Sequence, residues 1–201
     1  MKRSRDYRAD ARTKMKGKWG YALLGVVIYG LVFAAMSFTG ILALLFGLPL
    51  TIGLLSYLSK LYDTGRADVG NLFDGFKDNL VNRILASVLK YLFVALWSLL
   101  FVIPGIIKTY SYAMTEYLMM QDSTLDANAA ITKSRTMMDG NKGRLFLLDL
   151  SFIGWIILCG LTFGILYLYV APYMLSARLS FYEDLYERTY GGRKVSSNEN
   201  N

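Results

Sequence analysis

Lys90, Glu116, Asp149 and Arg178 are the residues of this 201-residue chain best placed to do chemistry, because each stands inside an otherwise apolar stretch. A charge within a bilayer costs on the order of 3 kcal/mol or more unless it is paired or hydrated. Two carboxylates, Glu116 and Asp149, could in principle divide acid and base work between them. Two cations, Lys90 and Arg178, suffice to neutralise both. The expected arrangement is therefore a structural network of ion pairs and hydrogen bonds between helices. The sharper alternative is a polar cavity, open to the cytoplasm, for an ion, a lipid headgroup or a peptide.

Other chemistry finds little support. The chain has no histidine, which removes the commonest general base and metal ligand, and its one cysteine, Cys159, cannot form an internal disulfide. There is no G-x-S-x-G, P-loop or G-x-G-x-x-G motif. No metal site, no cofactor and no enzymatic activity are expected. The net charge of +7 is read as cytoplasmic basic residues beside anionic lipid headgroups, with no nucleic-acid partner.

The elements that must position the four charges are long apolar runs. The chain is 54% hydrophobic, with a mean hydropathy of +0.34, against roughly 45–50% apolar in an average soluble domain. Charge-free stretches of 41, 17 and 28 residues separate Lys18 from Lys60, Lys90 from Lys108 and Asp149 from Arg178. A spanning helix needs about 20 such residues. Residues 19–59 would make about 60 Å of continuous helix, twice the hydrocarbon core, so they must turn within 39–49, where Gly40, Gly47 and Pro49 are the break signals. Further spans are expected at 81–103, 105–121, 145–159 and 163–187. The segment 1–18, with eight Lys/Arg and two Asp, reads as a basic cytoplasmic arm on the lipid surface, not a secretory signal.

The polar segment 122–144 should hold an amphipathic cytoplasmic helix at about 123–139. Ser123 and Asp126 resemble a capping box, and Ala127, Ala130, Ile131, Ser134, Met137 and Met138 fall on one helical face. Lys133, Arg135, Lys142 and Arg144 are expected at the lipid surface. In the sixth span Pro172 should kink the helix. Residues 189–201 read as a disordered tail.

Pro104-Gly105 decides the topology. A mere kink there would leave about 60 Å of helix for one crossing and would put basic loops on both sides. A turn gives an all-α integral membrane protein with six transmembrane helices as three hairpins and cytoplasmic N and C termini. Nearly all basic residues then lie inside, as the positive-inside bias requires. On this placement Glu116, Asp149 and Arg178 lie about 6–8 Å and Lys90 about 12 Å deep in the inner leaflet.

The segments "LWSLLFVIPGIIKTYSYAMTEYLM", "AITKSRTMMDGNKGRLFLLDLSFIGW" and "VAPYMLSARLSFYEDL" resemble the bacterial integral membrane family called domain of unknown function 975. The resemblance spans about 19–188. It implies a multi-pass protein of the cytoplasmic membrane and brings no established activity, ligand or catalytic residue. A weaker similarity links such proteins to the membrane part of some glycerophosphodiesterases, whose soluble catalytic domain is absent. The expected role is that of a non-catalytic scaffold, regulator or envelope-protection factor, working with the lipid bilayer and a possible membrane protein partner. The alternative is a small permease or transporter component.

Overall fold

The computed structural model describes residues 3–38, 40–100, 102–162 and 164–191. Among these residues there is no strand, and ten α-helices and one 3-10 segment follow one another. They are α1 (Ser4–Met15), α2 (Trp19–Ser37), α3 (Ile41–Thr64), the 3-10 segment (Val69–Phe76), α4 (Leu80–Leu100) and α5 (Val102–Ser111). There follow α6 (Thr115–Gln121), α7 (Ala127–Met138), α8 (Lys142–Leu150), α9 (Ile153–Leu161) and α10 (Ile165–Tyr190).

Four stretches are long and apolar enough to cross a membrane: Trp19–Ser37, Leu42–Thr64, Leu80–Ser98 and Lys142–Leu161. Large apolar side chains stand exposed on them and on α5, among them Leu31, Leu92, Ile103, Ile157 and Leu161. A surface of that kind belongs against lipid tails and would associate in water. The opposite end of the molecule has a closely packed core, with Leu54, Tyr57, Leu58 and Leu61 of α3 buried against Tyr117, Leu179 and Phe181.

α2 and α3 form an antiparallel hairpin. Tyr57 donates to the Tyr21 carbonyl at 2.7 Å and Tyr29 pairs with Thr51 at 3.2 Å, so rising numbers on α2 meet falling numbers on α3. The reversal uses Gly40, at φ +62°, a left-handed conformation that favours glycine. Thr39 lies outside the described residues. Gly47 and Pro49 sit inside α3 and are not the turn.

α4 and α5 also run antiparallel. Gly105 lies against Ser98, Lys108 caps the ring of Trp97 at 4.6 Å, and Phe93 meets Tyr112 at 6.2 Å. The hairpin is therefore the one expected from Pro104-Gly105, but those two residues are not its turn. α4 ends at Leu100 and α5 begins at Val102, with Phe101 outside the described residues. Pro104 stands in the first turn of α5, where a missing N–H leaves no bond unmade. Gly105 permits the close approach, since a Cβ there would lie 2.1 Å from the Ser98 Oγ. Lys108 thus covers an indole face.

Two expected spans are interrupted. The 105–121 run breaks between α5 and α6, and Ser134 of α7 fills the gap, donating to the Ser111 carbonyl at 2.9 Å and accepting from the Met114 N–H at 3.2 Å. The 145–159 run breaks between α8 and α9, where the Arg8 guanidinium donates to the Ser151 carbonyl at 3.2 Å. Non-helical backbone is tolerated at membrane depth where protein groups satisfy it. α10 runs on as helix through Pro172, whose carbonyl accepts from Ser176 at 2.6 Å.

The N-terminal segment differs most from expectation. It is not an arm laid on lipid. At the start of α1 the Asp6 carboxylate accepts from the Arg3 N–H at 2.6 Å, and Tyr7, Ala11 and Met15, at i, i+4 and i+8, are fully buried. α1 packs on α8 and α10. Lys18 then reaches the C-terminal carbonyls of α3, Leu61 at 3.0 Å and Tyr62 at 3.1 Å, a favourable place for a cation.

Candidate functional site

The four charges read from the apolar runs meet as two pairs. Lys90 of α4 is ion-paired with Glu116 of α6, both largely shielded. Arg178 of α10 forks onto Asp149 of α8, Nε to Oδ1 and Nη2 to Oδ2, each at 2.8 Å. Tyr110 of α5 donates to the same Oδ2 at 3.0 Å. Tyr182 lies within electrostatic reach of Arg178, Glu116 and Asp149. Bidentate guanidinium–carboxylate bonding is the strongest form of such a contact. Each pair ties helices that are far apart in sequence.

The basic residues expected at the lipid surface divide. Lys133 and Arg135 are exposed on α7, opposite its buried stripe of Ala127, Ala130, Ile131, Ser134, Met137 and Met138. Asp126, not Ser123, caps that helix, accepting from the Asn128 N–H at 3.1 Å. Lys142 lies 3.7 Å from Asp139. Arg144 is not a lipid-facing residue. Its Nη2 donates to the Tyr7 hydroxyl at 2.6 Å, it lies 3.6 Å from Asp184, and its guanidinium stacks over Phe181. Tyr7 in turn donates to Asp184 at 2.6 Å, so one carboxylate of α10 joins α1 and α8. Burial first, and then this bond, pushes the Tyr7 phenol well above its ordinary value, which keeps it a neutral donor.

A feature that reading the sequence missed lies beside α3. The 3-10 segment, begun by the Asp68 side chain accepting from the Gly70 N–H, runs back along α3 in close contact. The Gly53 and Gly75 positions each face a main-chain carbonyl, of Leu72 and Pro49 respectively. Between this segment, α3, the start of α4 and the end of α6 opens a cleft of about 1250 Å³. At its wall Asp74 accepts from Ser56 (2.9 Å), Lys60 (3.1 Å) and Lys77 (2.8 Å). Arg83, buried, donates to the carbonyls of Asp74 (3.0 Å) and Met119 (3.5 Å). The sequence signal available is the near-helical spacing of Leu72, Phe73 and Phe76 within the charged residues 60–80, which suggests a short interfacial turn.

Burial pushes the Asp74 carboxyl up, but hydrogen bonds from Lys77, Lys60 and Ser56 outweigh it and hold the group below its ordinary 3.8. A depressed folded-state value means stabilisation that is complete above the unfolded value and is lost as pH falls through the folded one. The stability difference between wild type and Asp74→Asn in micelles should therefore stay constant from pH 7 to about 4 and shrink below it. A gap that widens on acidification would contradict this placement of the proton.

Among the described residues no group of three or more Cys, Asp or Glu is placed to hold a metal ion. No curated protein and no solved structure matches the chain. Residues 99–189, which hold Glu116, Asp149 and Arg178, match the model of the family described as Protein of unknown function (DUF975), the family the sequence resembles.

Proposed function

We propose that the chain is a non-catalytic, multi-pass protein of the cytoplasmic membrane, acting as a scaffold, regulator or envelope-protection factor. The observation that carries this reading is the pairing of Lys90 with Glu116 and of Arg178 with Asp149. A carboxylate already neutralised by a cation in contact with it has little attraction left for a passing ion. Both Asp149 oxygens are engaged by Arg178 and Tyr110. Held in this way, the charges act as ties between helices.

In proteoliposomes, potassium and proton gradients should decay no faster than in protein-free vesicles. Charge-dependent flux, lost in a folded Lys90→Met/Glu116→Gln protein, would replace this reading with that of a small permease.

The same proposal includes six crossings in three hairpins, with both ends cytoplasmic. The four long apolar stretches support it. So do the interrupted run of α5 with α6, whose broken backbone is patched by Ser134, and the continuous helix α10. Reporter fusions at residues 65 and 130 should read as cytoplasmic and one at 162 as external. An external signal at 130 would remove the six-span arrangement.

A further inference from the structure

We infer that the cleft between α3, the 3-10 segment and the start of α4 holds the headgroup of a zwitterionic phospholipid, phosphate inward and ammonium at the rim. The inference deepens the membrane reading above and rests on it.

Position comes first. The cleft is lined by Tyr21 and Leu24 at the first turns of α2 and by Lys60 near the last turns of α3. It therefore straddles the end of the first hairpin, where a span passes from lipid into water. Tyr21 and Leu24 are 59% and 46% exposed, so the cleft opens onto the face that meets acyl chains. At about 1250 Å³ it exceeds the roughly 300–1,000 Å³ of a small-molecule pocket. A free anion would need neither the apolar flank nor the room.

Charge selects the headgroup. Lys60 and Lys77 share the single carboxylate of Asp74, and the Arg83 guanidinium beside it is bonded to two main-chain carbonyls. The charged lining of the cleft is balanced, with Lys60, Arg66, Lys77 and Arg83 against Asp63, Asp68, Asp74 and Asp78; within it the cluster of Lys60, Lys77 and Arg83 suits a phosphate, which accepts charge-assisted bonds from such donors. The exposed Asp68 and Asp78 also line the cleft. Their charge opposes a purely anionic headgroup and suits an ammonium a few ångströms from the phosphate. Phosphatidylethanolamine has this layout.

The test is native mass spectrometry of the delipidated full chain in micelles, offered phosphatidylethanolamine, phosphatidylglycerol, diacylglycerol or inorganic phosphate. Phosphatidylethanolamine should be retained ahead of phosphatidylglycerol, and diacylglycerol should not be retained. Lys60→Gln/Lys77→Gln should lower retention at least tenfold, while Lys133→Gln leaves it unchanged. Arg83→Lys, which keeps the charge where Arg83→Gln removes it from two main-chain carbonyls, should retain the lipid. Equal retention by wild type and Lys60→Gln/Lys77→Gln would overturn the assignment. So would a preference for phosphatidylglycerol, retention of diacylglycerol, or binding of inorganic phosphate alone. None of these results would alter the reporter topology, so failure of the site and failure of the membrane reading remain separable.

Discussion

Replacing Glu116 by Gln lowers the thermal stability of the protein in detergent micelles by about 3–5 kcal/mol, the usual cost of removing one partner of a buried pair. The loss arises because Lys90 keeps its charge in a shielded place, with its carboxylate gone. A neutral Gln is nearly the same shape, so packing changes little. Lys133→Gln, on the exposed face of α7, should change stability by no more than about 0.5 kcal/mol. If Glu116→Gln behaves like Lys133→Gln in the same scan, the pair contributes nothing and the ammonium finds water or headgroups instead.

Gly53→Ala should be comparably damaging for a different reason. The added Cβ would stand 1.7 Å from the Leu72 carbonyl oxygen, a main-chain atom that cannot rotate away. Either α3 or the 3-10 segment must move, and with it the Asp74–Lys60 contact. Gly75→Ala meets the Pro49 carbonyl at 1.8 Å and should act alike. Overpacking of side chains costs about 1–3 kcal/mol, and a clash with backbone belongs at or beyond the upper end. Gly30→Ala in α2, with nothing within 4 Å of the new methyl, should be neutral or slightly stabilising, since alanine is the better helix former. Equal effects at positions 30 and 53 would show that the segment does not lie on α3.

What the residues reveal in advance follows the strength of their patterning. The face of α7 is legible because six small or apolar residues recur at helical spacing in a polar stretch, and the same six are buried. The α4–α5 hairpin is legible from length, because no single crossing can take 41 residues between 81 and 121, though α5 already begins at Val102, before the proline. α1 is hidden for the opposite reason. Its buried stripe is only Tyr7, Ala11 and Met15 among six charges, and charge composition outweighs a stripe of three residues. The interruptions of the fourth and fifth spans depend on Ser134 and Arg8, donors more than 20 residues away, and no local signal marks them. Arg144 carries the same lesson, since its partners Tyr7 and Asp184 come from both ends of the chain. The cleft escaped because hydropathy reads residues 60–80 as a loop returning to water, while the 3-10 segment folds back on α3.

The most direct test of paired, structural charges is a set of double-mutant cycles read by thermal stability in micelles. Within a pair, Lys90→Met with Glu116→Gln, and Arg178→Met with Asp149→Asn, should each recover a substantial part of the summed single losses, because no buried charge is left unpartnered. Across pairs, Lys90→Met with Asp149→Asn should add within about 0.5 kcal/mol, as expected of separate contacts. Strict additivity within both pairs would contradict the account, since charges that do not sense each other cannot be ties between these helices.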